Sequence, residues 1–253
     1  MSFLLTPLRV AYSVYAVIVF VALMLLVVPF VLVGSFFGKI RGGNFIYRMC
    51  SIWGDAWFLL IGIRHKNLYE TPHDKSRQYI FVANHISYLD APVIVKTLRQ
   101  PVRVLGKVEM AKVPVFGFIY RNAIVTVDRS NAEKRAKSVR ILKSVIKKGI
   151  SIFIFPEGTF NETHRPVKEF FDGAFRIAIE TQTPIKPVLF LDAYTRMNYR
   201  SVFSLNPGRS RSVFLDEIPV AGMTAADMPK LKQQVYDAME KKLIAYQAAW
   251  ISK

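Results

Sequence analysis

Hydrophobic residues follow two patterns along the chain, and the first occupies the N-terminus. From Val10 to Gly38 no residue is charged, and this stretch is longer than the roughly 20 apolar residues that span a bilayer. A secretory signal peptide has a shorter apolar core, with a small-residue cleavage site directly after it. The pattern therefore predicts a retained helical membrane anchor. Pro29 allows a kink, so a single span and a re-entrant helical hairpin both remain open.

A second apolar stretch, Asn44 to Ile63, carries only Arg48 and Asp55 as charged residues and contains two tryptophans. Tryptophan favours the headgroup level of a bilayer, which predicts an interfacial helix. A buried core helix of the following domain explains the same pattern equally well. Residues 1–63 are assigned to a membrane-anchoring helical segment, and residues 64–253 to a separate folded domain.

After residue 64 the second pattern begins, in which short apolar runs alternate with segments of helical periodicity, as is typical of an α/β domain. The clearest helix covers 130–149, where Ser130 and Glu133 have capping-box spacing and Gly149 supplies a stop. A last amphipathic helix is predicted from Met228 to Trp250. The predicted strands are Tyr79–Ala83, Val102–Gly106, Ile124–Val127, Ser151–Phe155, Ile185–Phe190 and Ser212–Leu215.

The charge and the cysteine content limit which classes of partner and which cross-links this domain can have. Residues 1–63 hold four basic residues against one acidic residue, a balance of +3, which leaves +14 of the total +17 on the rest of the chain. The positive-inside tendency therefore places the domain on the cytoplasmic face of the cell membrane, with anionic membrane lipids as its nearest partners. No nucleic-acid-binding motif is present. The single cysteine, Cys50, excludes an internal disulfide, and no metal-binding pattern of cysteines or histidines occurs.

Candidate chemistry begins at the stretch "NHISYLD", where His85 follows an apolar run and Asp90 comes five residues later. On a continuous helix, five residues rotate a side chain by about 140°, so the two residues would not share a face. They can meet only if His85 lies on a strand-to-helix turn and Asp90 lies inside the next helix. Asn84 is a suitable turn or cap residue, and a helix beginning near Ser87 fits this arrangement.

Further polar or glycine residues follow the other predicted strands, in "VTVDR", "FPEGT" and "PIKPV". Open α/β sheets place their ligand crevices at such strand ends. In this order and with these separations, "NHISYLD", "KVPVFG" with "VTVDR", "FPEGT" and "PIKPV" resemble the four sequence blocks of the glycerolipid acyltransferase family. Its best-known members are the 1-acylglycerol-3-phosphate acyltransferases. The resemblance runs from about Gln78 to Leu191 and implies a mixed α/β sheet flanked by helices.

The resemblance also implies roles for individual residues. His85 would be the general base that takes a proton from a lipid hydroxyl as it attacks an acyl thioester, with Asp90 orienting the imidazole. Arg129 would hold the phosphate of a lysophospholipid acceptor. The acyl donor would be a coenzyme A or acyl-carrier protein thioester, with no bound cofactor and no metal. The remaining substrate-binding candidates are Asn84, Ser87, Glu157, Gly158 and Thr159.

Two positions depart from the family pattern. Phe160 stands where the third block usually has a phosphate-binding arginine, and Asp172 stands where many members have lysine. The main hypothesis is an enzyme that makes phosphatidic acid from its lyso form. The alternatives are an O-acyltransferase for a lyso lipid without a phosphate monoester, such as an N-acyl amino acid, and a non-catalytic membrane-binding protein. A hydrolase is disfavoured because the chain lacks the Gly-x-Ser-x-Gly nucleophile elbow.

Overall fold

The computed structural model describes residues 2–127 and 132–252, and its centre is a seven-stranded sheet. The strands lie in the order β1-β7-β6-β2-β5-β3-β4. Every neighbouring pair is parallel except β6 and β7, which are antiparallel, so the predicted mixed sheet is confirmed. The strands are β1 (Ile63–Tyr69), β2 (Ile80–Ala83), β3 (Val102–Lys107), β4 (Ile124–Val127), β5 (Ser151–Ile154), β6 (Ile185–Phe190) and β7 (Gly208–Phe214).

Helices cover both faces of this sheet. The central strands β2, β5 and β6 are buried at every position, which suits their largely apolar sequences. The predicted last helix ends earlier than expected, at Ala245, and the Ser130 cap lies outside the described residues. The α-helices are α1 (Ser2–Ser35), α2 (Gly43–Leu60), α3 (Asp90–Thr97), α4 (Phe116–Ala123), α5 (Ala132–Ile146), α6 (Gly173–Thr181), α7 (Ala193–Arg196) and α8 (Met228–Ala245).

The N-terminal helices α1 and α2 form an antiparallel hairpin. The indole nitrogens of Trp53 and Trp57 donate hydrogen bonds to the carbonyl oxygens of Phe20 (3.2 Å) and Ala16 (2.8 Å). Near the hairpin turn the backbones approach so closely that a Cβ atom on Gly42 would overlap a carbonyl oxygen of α1. Helix α2 also packs against α3 and α4. Of the two interpretations of the second apolar stretch, the packing therefore favours a buried helix.

The start of α1 and the hairpin turn after it both contact the α/β domain. Near its start, the Arg9 guanidinium donates to the carbonyl oxygen of Ser204 (2.9 and 2.6 Å). Beyond its end, the buried Arg103 of β3 donates to the carbonyl oxygens of Lys39 (2.9 Å) and Ile40 (3.2 Å). A 34-residue helix is about 50 Å long. Helix α1 therefore lies along the domain, and by length and composition its Pro7–Ser35 segment could also cross a membrane.

Candidate active site

His85 and Asp90 meet at the carboxyl end of β2. His85 lies on the turn that follows the strand, and Asp90 is the first residue of α3. The Nδ1 atom of His85 is 2.9 Å from Oδ2 of Asp90. The same Oδ2 atom accepts hydrogen bonds from the backbone N–H groups of Ile86 (2.8 Å) and Ser87 (2.9 Å). The turn therefore brings together two side chains that a continuous helix would separate.

The Asp90 carboxylate determines which nitrogen of His85 is available for chemistry. Asp90 is fully buried, and its position in the first turn of α3 suits a negative charge. Because the carboxylate accepts a hydrogen bond from Nδ1–H, the other ring nitrogen, Nε2, carries the free lone pair. Nε2 makes no hydrogen bond with any described residue. This is the geometry of a general base oriented by a carboxylate.

Aromatic rings hold the imidazole of His85 in place. The ring stacks on Phe155 with centroids 3.9 Å apart and planes 10° apart. The edge of Phe160 contacts the imidazole with centroids 4.5 Å apart, and Phe160 in turn contacts Tyr88. The His85 side chain keeps 22% of its surface accessible. A protonated imidazole stacked on an aromatic face would gain a cation–π contact.

Glu157 is a buried carboxyl directly behind His85. Its Oε1 atom accepts the backbone N–H of His85 (2.9 Å), and its Oε2 atom accepts the backbone N–H of Lys168 (3.1 Å). Burial raises the pKa of Glu157 from its ordinary value of 4.5 to about 8, although both hydrogen bonds act in the opposite direction. Glu157 therefore connects the turn that carries His85 to the loop between β5 and α6.

Two other predicted site residues are buried and bonded within the protein. Asn84 donates from Nδ2 to the carbonyl oxygen of Phe190 (3.1 Å) and accepts the backbone N–H of the same residue (2.8 Å), which joins the ends of β2 and β6. The Ser87 hydroxyl donates to the carbonyl oxygen of Met197 and accepts the backbone N–H of Leu89. These contacts suit residues that position the turn. Their role in substrate binding stays a prediction.

The remaining candidates lie on the loop after β5. Gly158 has a positive φ of 72°, a conformation that favours glycine. Thr159 is exposed, and its hydroxyl accepts a hydrogen bond from the Lys168 ammonium (2.7 Å). The structure thus brings Gly158 and Thr159 to the same strand edge as His85. Arg129 lies outside the described residues, so its predicted contact with a phosphate stays a prediction.

An apolar cavity of about 510 Å³ opens beside His85. Its walls come from the hairpin helices α1 and α2, from α3 and α4, and from the ends of β3 and β5. The sequence did not predict that α1 and α2 form part of the cavity wall. The two tryptophans of the second apolar stretch were the only sequence signal for this contact. The lining residues include His85, Phe155, Phe160, Phe20, Cys50, Trp53, Trp57, Val104, Ile119 and Tyr120.

An α/β domain with a carboxylate-oriented histidine at a strand end, beside an apolar cavity, is the arrangement that the sequence blocks predict for an acyltransferase. A family model described as Acyltransferase matches residues 63–191, about half of the chain, and the chain belongs to this family. The family resemblance of the sequence blocks is thereby confirmed.

Individual relatives agree with this assignment. An uncharacterized acyltransferase of Schizosaccharomyces pombe is 31% identical over 67% of this chain and 62% of its own length. The human 1-acyl-sn-glycerol-3-phosphate acyltransferase beta is 26% identical over 79% of this chain and 72% of its own. The chain thus covers less than two thirds of the first of these relatives.

A solved structure matches the whole fold. The crystal structure of the 1-acyl-sn-glycerophosphate (LPA) acyltransferase PlsC from Thermotoga maritima superposes with a TM-score of 0.73. The match covers 100% of both chains at 22% identity. This similarity includes the N-terminal hairpin as well as the sheet.

Proposed function

We propose that this protein transfers a fatty acyl group from an acyl thioester to the free hydroxyl of 1-acyl-sn-glycerol 3-phosphate, which yields phosphatidic acid. The observation that carries the proposal is the 2.9 Å contact between His85 and Asp90, with His85 in the wall of the apolar cavity. The name of the human relative, a 1-acyl-sn-glycerol-3-phosphate acyltransferase, supports the same acceptor.

The reaction follows from the free Nε2 atom of His85. Nε2 takes the proton of the acceptor hydroxyl as its oxygen attacks the thioester carbonyl, and a C–O bond forms. The tetrahedral intermediate collapses with cleavage of the C–S bond, and the departing thiolate takes the proton from the imidazolium. Asp90 stabilises the imidazolium while it exists. No acyl-enzyme forms, so no side-chain nucleophile is needed.

The apolar cavity is the proposed binding site for the acyl chain of the thioester. Its walls are largely hydrophobic and aromatic, as expected of a site that removes a fatty chain from water. His85 lines the same cavity, so a bound acyl chain would place its carbonyl end near the base. The chemistry of this site suits either a coenzyme A or an acyl-carrier protein donor.

A phosphate on the acceptor needs cationic partners, because burying its charge without them is costly. At the position of the usual arginine of the third block, this chain has Phe160. Lys168 lies on the same loop, and its ammonium is 2.7 Å from the Thr159 hydroxyl, so we assign Lys168 as a replacement cation. Arg129 is the second proposed phosphate ligand.

A different acceptor is favoured by one observation. Phe160 contacts both His85 and Tyr88, so an aromatic surface lies where an arginine would face a phosphate. A lyso lipid without a phosphate monoester, such as an N-acyl amino acid lipid, would suit this surface. The Phe160→Arg variant distinguishes the two acceptors. The new cation should favour activity toward the phosphate acceptor and lower activity toward the lyso lipid that lacks a phosphate monoester.

Membrane binding is assigned to residues 1–63, with residues 64–253 as the catalytic part. The outward face of α1 exposes many apolar side chains, including Ile18, Leu26 and Phe30. Since the start of α1 and the hairpin turn after it both contact the α/β domain, a hairpin embedded in one leaflet fits better than a perpendicular span. The cytoplasmic leaflet of the cell membrane, rich in anionic lipid, suits the domain's positive charge.

The decisive experiment gives the purified protein a labelled acyl thioester and a panel of lyso acceptors. We expect labelled phosphatidic acid from lysophosphatidate, and unchanged or improved yield from Phe160→Arg. If wild type ignores lysophosphatidate, acylates a lyso amino-acid lipid and loses that activity in Phe160→Arg, the second acceptor replaces the first.

A further inference from the structure

A second cavity, of about 360 Å³, lies on the same edge of the sheet as His85. This edge holds the carboxyl ends of β2 and β6 and the start of the antiparallel strand β7. The cavity lies beside the start of β7, with α7 on one side and the end of α8 on the other. Its charged lining residues are Asp192, Arg196, Arg209 and Arg211.

The positive charge of this cavity is only partly neutralised. Arg211 forms a bidentate pair with Asp192, with both N···O distances at 2.8 Å. Arg209 is exposed and has no hydrogen-bond or ion-pair partner among the described residues. Arg196 donates to the carbonyl oxygen of Pro207, but its Nε atom is buried and finds no acceptor in the described part of the chain. Arg209 therefore offers unused donors to an anion, and the half-buried Arg196, whose Nε atom is unsatisfied, lines the same cavity.

The start of the apolar helix α1 contacts the segment between α7 and β7, and this segment joins the two cavity residues Arg196 and Arg209. Arg9 of α1 binds the carbonyl oxygen of Ser204, which belongs to the segment between α7 and β7. The same segment exposes Val202 and Phe203, with 44% and 50% of their surfaces accessible, and Leu8 of α1 is 68% exposed. A surface that combines exposed apolar side chains with arginines is characteristic of a protein at the level of lipid headgroups.

We propose that Arg196 and Arg209 bind the phosphate of an anionic phospholipid of the bilayer, while Val202, Phe203 and Leu8 enter the interface beside it. A guanidinium matches phosphate oxygens in a planar, bidentate fashion. A lipid held there keeps the catalytic edge of the sheet against the membrane. This site lies apart from the acyl cavity and does not depend on which acceptor the enzyme uses.

Vesicle binding of the full-length protein tests the proposal. Wild type should bind vesicles of phosphatidylcholine mixed with phosphatidylglycerol more tightly than phosphatidylcholine alone. Arg209→Gln should lower the affinity for the anionic vesicles roughly fivefold and leave binding to neutral vesicles unchanged. Because Arg209 is exposed, thermal unfolding should show that the variant remains folded.

Lys230→Gln is the matched control, because it removes the same charge from an exposed position of α8. Lys230 lies sixteen residues before the cavity residue Tyr246, about 24 Å along the helix. Equal losses in both variants would assign the effect to diffuse charge and overturn the proposal. Stabilisation of the detergent-solubilised protein by inorganic phosphate, without any effect of Arg209→Gln on vesicles, would assign the cavity to a soluble anion instead.

Discussion

The Nδ1 atom of His85 and the Oδ2 atom of Asp90 are 2.9 Å apart, although the residues belong to different elements, the turn after β2 and the first turn of α3. Two backbone N–H groups of the same turn also point at Oδ2. The turn and the carboxylate therefore hold each other in one arrangement, which leaves Nε2 of His85 without a hydrogen-bond partner among the described residues.

His85→Ala should remove nearly all acyl transfer while the protein remains folded and membrane-bound. The side chain is the proposed base, and general-base catalysis contributes about 10²–10⁴-fold. The measurement is turnover of purified protein, with circular dichroism and membrane fractionation as controls. Substantial remaining turnover would rule out His85 as the base.

Asp90→Asn should also lower turnover, by less than His85→Ala. The amide lacks the charge that stabilises an imidazolium, but its oxygen can still accept from the backbone N–H groups of Ile86 and Ser87. We expect the loss in kcat rather than in the Michaelis constants, because the interaction strengthens only as His85 becomes protonated. A rise confined to a Michaelis constant would show that Asp90 acts in binding.

Glu157 should make stability depend on pH. Its pKa is raised from 4.5 to about 8 by burial, so the folded protein keeps a proton that the unfolded chain has released. The unfolded state binds fewer protons in this window, and the free energy of unfolding therefore falls as pH rises from about 4.5 to about 8. Urea unfolding of wild type and Glu157→Gln across this range measures the difference. Parallel curves for the two proteins would contradict the prediction.

Cys50→Phe should shorten the acyl chains that the enzyme accepts. Cys50 of α2 lines the apolar cavity, so a larger side chain there takes volume from the proposed chain-binding site. The preference for shorter over longer thioesters should rise about tenfold. Ile52→Phe is the control, since Ile52 lies on the same helix and is 52% exposed. A uniform loss with all chain lengths would indicate damage to the fold instead.

Lys168→Gln should raise the Michaelis constant for lysophosphatidate and change that for the thioester little. The variant loses the proposed charge-assisted contact between the Lys168 ammonium and the acceptor phosphate, which should cost about 1.5–3 kcal/mol of binding free energy. The Lys168 backbone N–H still binds Glu157, so the loop should keep its shape. Lys241→Gln on the exposed face of α8 controls for net charge. Arg129→Ala should act in the same direction if Arg129 is the second phosphate ligand.

Much of the sheet could be predicted from local sequence. The buried strands β2, β5 and β6 are short apolar runs bounded by turn residues, and the predicted strand Ile124–Val127 is observed with the same bounds. The edge strand β1 was missed because four consecutive polar residues, 64–67, occupy its centre and leave no apolar run. Its His65 contacts Ser210 (3.0 Å) and Asn67 (2.9 Å), so hydrogen bonds replace the apolar contacts on which a hydrophobic pattern depends.

The sequence by itself determined the apolar N-terminus, the α/β class and the five-residue spacing of His85 and Asp90, because hydrophobic periodicity and turn chemistry act between near neighbours. Only the tertiary structure decided that α2 is packed between α1 and the domain, and that Trp57 and Tyr120 enclose one cavity with His85. It also placed Lys168 beside Thr159 and Arg196 beside Arg209. Apart from the contact between Lys168 and Thr159, which lies within one loop, these contacts join residues from separate elements, and no local pattern encodes which elements meet.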